Sequence, residues 1–342
     1  MKGIRDSLYY NVMKNNSIDV SIVVMTYNHI NYIKKALDSI LEQQYNGTYE
    51  IVIGDDCSTD GTSDIILEYF NKYPDIIKPH IRTQNIGAKR NMYELMTCCQ
   101  GKYMAFLDSD DFWNNPQKLQ KQVDFLNNNP SYIGCVGQFY VTDKDGVPYH
   151  DRDFEIQMIN QTTYSKQEFE KGKLASHIST LLCKNLFLMY PSGFFSFWND
   201  IDDKMAGDIT MYMLLTLHGN IYCLNDNFSC YRKDISPTST SYSSLQATKN
   251  KRDHLFLTQI QLETIAKKFF NKKISCSKFK KNIFASAVFQ WCRTKHSYDW
   301  KVIMNIIRYS RQPILFFLYL IYLLSAKKIL LAVYKKDVRV PF

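Results

Sequence analysis

Three carboxylates stand close together in the segment FLDSDDFW, residues 106–113. Asp108, Asp110 and Asp111 follow an apolar run and precede two aromatic residues. Carboxylates at this spacing repel one another unless a cation lies among them, and Mg²⁺ or Mn²⁺ with added phosphate oxygens fits such a group. The combination indicates a site for a metal diphosphate. Taken alone, the segment is better explained by Asx turns or a helix cap.

A second acidic segment, GDDCSTDGTSD at residues 54–64, has a related pattern. Asp55 and Asp56 end an apolar run, and a small polar turn then leads into a helical pattern. A carboxylate at this position can accept hydrogen bonds from a ribose or from the imide nitrogen of a uracil. The structural alternative is a solvated turn in which Asp60 and Gly61 bend the chain.

The elements that must position these acids follow from the apolar pattern. The continuous apolar run VSIVVMTY predicts a strand buried on both faces, which is typical of a parallel sheet. Apolar residues at helical spacing follow, with Asn31 as the predicted cap. Strands and helices then alternate, so we expect a doubly wound α/β fold whose ligands bind beyond the carboxyl ends of the strands. The predicted strands are 20–27, 50–56, 76–83, 103–110 and 132–141, with helices at 63–73 and 88–99 and one starting at Pro116.

Four ordered motifs resemble those of the family-2 nucleotide-sugar glycosyltransferases of the GT-A fold. The motifs are VSIVVMTYNHINYIKKALDSILEQ, EIVIGDDCSTDGTSDII, QNIGAKRNM and YMAFLDSDDFW. The resemblance covers roughly residues 18–240 and implies a Rossmann-like, mostly parallel sheet. It implies a nucleotide-binding half at 18–115 and an acceptor half at 116–240. An N-terminal extension at 1–17 and a mainly helical, basic C-terminal region at 245–342 would flank this domain.

The resemblance also implies roles for individual residues in binding the donor. Residues after the first strand would lie against the nucleotide base, the acids after the second strand would recognise it as uracil, and a third segment would pass along the ribose and diphosphate. Asp108 would also contact the ribose. Asp110 would be the direct ligand of Mn²⁺ or Mg²⁺, and Asp111 receives no certain role beyond a contact near the acceptor or diphosphate. The implied nucleotide-binding residues are Thr26, Tyr27 and Asn28 for the base, Asp55 and Asp56 for the uracil, and Asn85, Gly87 and Arg90 for the ribose and diphosphate.

Asp208 stands in the segment KMAGDITMYMLLTLHG, residues 204–219. The apolar positions that follow predict a helix to Leu217, and an acid before such a helix reads locally as its N-cap. The resemblance implies a different role, because an acid opening this helix is the family's general base for inverting transfer. Both roles coexist only if the carboxylate points into the cleft.

Three further residues are candidates for acceptor or diphosphate contacts. His177 is an isolated histidine, and such histidines are more often structural. Tyr231 and Arg232 match the family's Tyr-Arg element, and Arg232 would meet a phosphate in a bidentate manner. Many relatives carry a histidine shortly afterwards, where this chain has Lys233 and Asp234. This difference from the family pattern argues against a histidine metal ligand or phosphate contact from this loop.

The C-terminal part of the chain is basic and then apolar. From Lys251 onward the net charge is +15, whereas residues 1–250 carry −6. The run ILFFLYLIYLL holds 11 residues, and about 20 are needed to span a bilayer. Extension of the apolar segment over 313–334 encloses Lys327 and Lys328, so an interfacial helix on an anionic leaflet is favoured over a spanning one. An ordinary core helix is the alternative.

These observations predict an inverting, metal-dependent transferase that adds one sugar from a UDP-sugar to a lipid-linked or cell-surface glycan. The nine cysteines form no Cys-X-X-Cys pair, and no signal-peptide core is evident, so we expect a cytoplasmic protein, peripheral on the inner face of the membrane. No nucleic acid partner is expected. The alternatives are a processive polysaccharide synthase, a binding module without turnover, and a metal phosphohydrolase.

Overall fold

The computed structural model describes residues 18–150, 162–200, 207–233, 252–294, 297–310 and 312–325. The predicted extension at 1–17 and part of the predicted apolar segment, 326–334, lie outside the described residues.

Residues 20–108 form a parallel sheet between two layers of helices. Its strands lie in the order β3, β2, β1, β4. Val23 of β1 joins the core on one face with Met92, and Val24 joins the core on the other face with Leu37. Burial on both faces explains the continuous apolar run. The elements are β1 (Val20–Thr26), α1 (Ile33–Leu41), β2 (Tyr49–Asp55), α2 (Thr62–Lys72), β3 (Ile77–Ile81), α3 (Ala88–Cys98) and β4 (Tyr103–Asp108).

Residues 112–232 extend the same sheet in the order β4, β9, β6, β10, β5. Strand β9 is antiparallel to both β4 and β6, whereas β6 and β10 are parallel. The elements are β5 (Phe112–Trp113), α4 (Lys118–Asn128), β6 (Tyr132–Thr142), β7 (Pro148–Tyr149), β8 (Thr163–Tyr164), α5 (Lys166–Glu170), β9 (Leu182–Lys184), α6 (Gly207–His218) and β10 (Asn220–Arg232), with 3₁₀ turns at 178–180, 186–189 and 194–200. The predicted doubly wound, mostly parallel α/β fold is confirmed.

Four helices make up the described C-terminal region: α7 (Arg252–Phe270), α8 (Ser277–Thr294), α9 (Ser297–Tyr309) and α10 (Pro313–Ser325). One side of α10 is buried through Phe316, Leu320 and Leu323, and the Phe316 ring packs edge-on against Phe256 and Phe284. The core-helix alternative is therefore correct for this side. Within the described ranges, no helix is both long and apolar enough to cross a bilayer.

Two helix starts differ from the prediction. Asn31 does not cap α1, because the residue that precedes the helix is Tyr32. The backbone N–H of Ile33, the first helical residue, donates instead to the carbonyl of His29 at 2.9 Å. Asp208 lies in the first turn of α6 rather than before it.

Candidate active site

The three polar strand ends meet at one edge of the sheet. Because β1, β2 and β4 are parallel neighbours, Thr26 is paired with Asp55, and Met25 is paired with Asp108. The acidic segments, which are far apart in sequence, therefore lie side by side at the carboxyl edge, where ligands bind in doubly wound folds.

Asp55 and Asp56 hold the loops that surround this edge. The carboxylate of Asp55 accepts hydrogen bonds from the hydroxyls of Ser58 and Ser63. The two oxygens of Asp56 accept from the backbone N–H groups of Ile86, at 2.7 Å, and Gly87, at 2.8 Å. Asp56 thus anchors the segment that the resemblance places along the ribose and diphosphate, and its contact with uracil stays a prediction.

The chain after β1 brings three predicted base contacts to the same edge. The hydroxyl of Thr26 is buried and has no hydrogen-bond partner among the described residues. The Tyr27 side chain is 38% exposed. Asn28 has a φ of 55°, and its side-chain oxygen accepts from the N–H of Thr59 at 2.8 Å. The loop after β1 and the loop after β2 are therefore joined by this hydrogen bond, next to the Thr26 hydroxyl and the exposed Tyr27 ring.

Asn85, Gly87 and Arg90 lie on the outer side of this edge. The side-chain oxygen of Asn85 accepts from the N–H of Gly87 at 3.1 Å, and Gly87 has a φ of 87°, which glycine tolerates best. The exposed Arg90 forms a 2.9 Å ion pair with Glu94. Since exposed ion pairs contribute little stability, Arg90 can exchange this partner for a phosphate at low cost.

Asp108, Asp111 and His177 form a cluster that could hold a metal ion. One ligand atom of each lies within 4.8 Å of the others. Asp111 is buried, and its Oδ1 accepts from the backbone N–H of Arg232 at 2.8 Å. Its Oδ2 has no hydrogen-bond partner within the described part of the chain and lies 3.6 Å from Nδ1 of His177. Sequence analysis left Asp111 without a certain role, and the structure places it in this cluster.

The protonation state of this cluster favours a cation. Nδ1 of His177 lies 2.7 Å from the hydroxyl of Ser179 and accepts from the backbone N–H of the same residue, while the unpartnered oxygen of Asp111 lies 3.6 Å away. Burial lowers the pKa of His177 to about 3, which keeps the ring neutral. Desolvation, and then the charges of neighbouring carboxylates, raise the pKa values of Asp108 and Asp111. A buried carboxylate oxygen without a hydrogen-bond partner, close to further carboxylates, suits a proton or a divalent ion.

Asp110 lies in the turn next to this cluster, and its role as a direct metal ligand stays a prediction. The guanidinium of Arg232 donates to the backbone carbonyl of Asp110. Arg232 is only 3% exposed, and its guanidinium carbon lies 4.3 Å from the centre of the Tyr32 ring. In this position Arg232 fixes the Asp110 turn, so its bidentate phosphate contact also stays a prediction. Tyr231 packs its ring 4.4 Å from that of His177.

Asp208 lies close to the cluster. Burial raises its pKa to about 6, against a weaker opposing effect of a backbone hydrogen bond. Its charge is near enough to contribute to the raised pKa of Asp108. The helix α6 that carries Asp208 is buried along residues 209–217. A carboxylate with a raised pKa therefore stands on a buried helix beside the acidic cluster, as is common at functional sites.

Several supporting residues were missed by sequence analysis. Nδ1 of His29 and the hydroxyl of Ser109 lie 2.7 Å apart, which links the loop after β1 to the acidic turn. The indole N–H of Trp113 donates to the carbonyl of Ser179 at 2.9 Å. The fully buried Lys118 places its ammonium 4.2 Å from the Trp113 ring, and burial lowers its pKa to about 7. Ser109 could have been found from the sequence, because it stands inside the acidic motif. Lys118 could not, because a lysine within a predicted helix is normally solvated.

Comparison with known proteins identifies a family domain in just under half of the chain. Residues 21–188 match the model described as Glycosyl transferase family 2. The uncharacterized protein Rv1520 of Mycobacterium tuberculosis is 39% identical over 127 residues, which are 37% of each chain. The poly(ribitol-phosphate) beta-N-acetylglucosaminyltransferase TarS of Staphylococcus aureus is 32% identical over 144 residues, 41% of this chain and 25% of TarS. The chain thus matches well under two thirds of the length of these curated relatives.

Solved structures share the fold at low sequence identity. The crystal structure of S. aureus TarS 1–349 in complex with UDP-GlcNAc has a TM-score of 0.59 and 19% identity, covering 85% of this chain and 80% of that one. The mannosyltransferase PcManGT from Pyrobaculum calidifontis, in complex with GDP-Man and Mn²⁺, has a TM-score of 0.50 and 14% identity, covering 98% and 96%. With the family match, the ordered motifs and this architecture, residues 21–188 carry a glycosyl transferase family 2 domain, and the chain has the GT-A fold.

Proposed function

We propose that the chain is an inverting, metal-dependent glycosyltransferase that moves one sugar from a UDP-sugar to a lipid-linked or cell-surface glycan. The observation that carries this proposal is the placement of Asp208, with its pKa raised to about 6, beside the cluster of Asp108, Asp111 and His177. The TarS structure with UDP-GlcNAc supports a uridine donor for this chain.

The cluster is the proposed place of the divalent ion, Mn²⁺ or Mg²⁺. Asp111 and His177 each offer one ligand atom, and Asp108 adds a carboxylate at the end of β4. A divalent ion bound there would stabilise the negative charge that grows on the leaving diphosphate. Arg232, by holding the Asp110 turn, keeps a further carboxylate near the same place.

Asp208 is the proposed general base. With a pKa of about 6 it is ionised at neutral pH, and it is a stronger base than an ordinary aspartate. Its carboxylate takes the proton of the acceptor hydroxyl as that oxygen forms a bond to the anomeric carbon and the bond to the diphosphate breaks. Direct displacement converts an α-linked donor into a β-linked product.

We also propose that the protein acts at the inner face of the cytoplasmic membrane, where it binds peripherally through its C-terminal region. Helix α10 presents large exposed apolar side chains, among them Ile314, Leu318 and Tyr322. The surrounding region is strongly basic, and an apolar face with basic flanks suits an anionic interface.

The transferase proposal is tested with Asp208→Asn. We expect transfer to fall by about 10²–10⁴-fold, because the base is lost, while thermal stabilisation by UDP-sugar and Mn²⁺ is kept. The control is Asp124→Asn, which changes an exposed aspartate on α4 and should leave transfer unchanged. Undiminished transfer by Asp208→Asn would contradict the assignment of the base.

The same assay separates the alternatives. A binding module would bind donors without transfer in the unchanged protein, and a phosphohydrolase would release phosphate from sugar phosphates without an acceptor. A processive synthase would give a polymer instead of a product extended by one sugar.

A further inference from the structure

Helix α10 has an exposed apolar face next to its buried one. Ile314 is 76% exposed, Tyr322 64% and Leu318 57%. Exposed apolar side chains that cluster on one element mark an interaction surface more often than scattered ones do. The buried side of the same helix packs on α7 and α8 through Phe316, so the exposed face is held in a fixed orientation.

A cavity of about 610 Å³ opens at the N-terminal end of α10, between α7 and α8. Five lysines and one glutamate line it. Glu263 pairs with Lys280 at 2.7 Å, which leaves an excess of positive charge from the other lysines. All four of those, Lys267, Lys272, Lys273 and Lys281, are exposed.

The cavity and the apolar face are continuous. Leu315 and Gln312 line this cavity and also a neighbouring depression of about 480 Å³. The other residues of that depression, Pro313, Ile314 and Leu318, belong to the first turns of α10. A ligand that reaches the lysines from the side of α10 therefore passes directly over apolar side chains.

We infer that this cavity binds the phosphate headgroup of an anionic phospholipid while the exposed face of α10 lies among the outer acyl chains. A lipid carries both chemistries, since its phosphate matches the lysines and its acyl chains match the adjoining apolar surface. The inference rests on the membrane association proposed above and deepens it, because it assigns the headgroup to one site rather than to general surface charge.

The test compares two matched pairs of charge reversals in the full-length protein. Lys267→Glu with Lys281→Glu changes the cavity. Lys268→Glu with Lys278→Glu changes exposed lysines on the same two helices that do not line it. With phosphatidylglycerol vesicles, we expect the cavity pair to weaken binding at least tenfold and the control pair less than twofold. A further variant, Phe317→Ser with Leu318→Ser, should also release the protein from these vesicles.

Each outcome is decisive, and donor-dependent transfer to a soluble acceptor is measured separately. Equal losses in both lysine pairs would overturn the cavity assignment and leave the membrane association standing. Failure of the unchanged protein to bind vesicles would overturn both, without bearing on the transferase. Stabilisation by inorganic phosphate that needs the cavity lysines, without vesicle binding, would assign the cavity to a free anion and overturn the lipid headgroup.

Discussion

Asp208 is placed where its charge costs folding free energy. Its pKa in the folded state, about 6, lies above that of an unfolded aspartate, so the fold favours the protonated form. The contribution of this group to stability is therefore full below about pH 4 and is lost as the pH rises through about 6. As the proposed general base, Asp208 would be a residue at which stability is sacrificed for activity.

We expect Asp208→Asn to raise the free energy of unfolding at pH 7.5 by about 1–3 kcal/mol, since the amide mimics the protonated acid. The gain should shrink toward pH 4.5, where the wild-type carboxyl is itself protonated. Urea unfolding of both proteins at the two pH values measures this difference, with Asp124→Asn as the control. A gain of the same size at both pH values would show that the carboxylate is not strained by burial.

The metal assignment makes a second prediction at this scale. His177→Gln should weaken Mn²⁺ binding in the presence of UDP by at least tenfold, on the order of the effect of losing a supporting group at a metal site. His80→Gln, which changes a half-buried histidine on β3, is the control. Binding is followed through the signal of free Mn²⁺ in electron paramagnetic resonance. If His177→Gln binds normally and Asp110→Asn does not, the ion belongs to Asp110, as the family resemblance implies.

Residue types and order predicted the acids of the site but not their partners. Asp108, Asp110 and Asp111 stand together in the sequence, so their clustering could be read directly. Arg232 stands 121 positions after Asp111, and only the pairing of β10 with β5 and β6 brings it to the acidic turn. Such a contact depends on sheet order, which local periodicity does not encode.

Strand β2 is held tightly against helix α3. A methyl group at Gly54 would lie 2.5 Å from the side-chain oxygen of Asn91 and 2.8 Å from Leu95. The amide of Asn91 also donates to the carbonyl of Gly54 at 2.9 Å. Because Gly54 immediately precedes Asp55 and Asp56, any shift of the strand moves both carboxylates.

We expect Gly54→Ala to destabilise the protein by about 1–3 kcal/mol through overpacking and to weaken stabilisation by UDP. Gly207→Ala is the control, because among the described residues its added methyl group would meet only Met92, at an ordinary 3.5 Å. Thermal unfolding with and without UDP measures both effects. Normal stability and UDP binding in Gly54→Ala would show that β2 and α3 can separate freely.

Elements with a strong period were predicted well, and short ones were not. The parallel strands β1 to β4 and their helices appear within a few residues of the predicted bounds. Strands β5, β7, β8 and β9 have two or three residues each, too few for any apolar period to be recognised. In α10 the apolar run hid the difference between its two sides, because both sides are apolar and only packing decides which is buried.

At the scale of the whole molecule, the C-terminal helices are joined to the part of the chain that forms the sheet through α5 and α6. The backbone N–H of Ser275 donates to Glu170 at 2.9 Å, and Gly172, with a φ of 76°, packs directly against Phe279. The acidic first part and basic last part of the chain are thus held in contact. Sequence composition predicted the charge asymmetry, but not this docking, which depends on the contacts between these elements.

Helix α6 connects the two proposed sites. Asp208 lies in its first turn, and near its other end the carbonyl of Leu217 accepts a hydrogen bond from Lys272, which lines the lysine cavity. At about 1.5 Å per residue, these two points are roughly 14 Å apart along the helix. If the cavity binds a headgroup as inferred above, this fixed spacing would limit how far Asp208 stands from the bilayer surface. An acceptor hydroxyl would have to reach Asp208 from that surface, so the proposed enzyme would select glycans by their reach as well as by their chemistry.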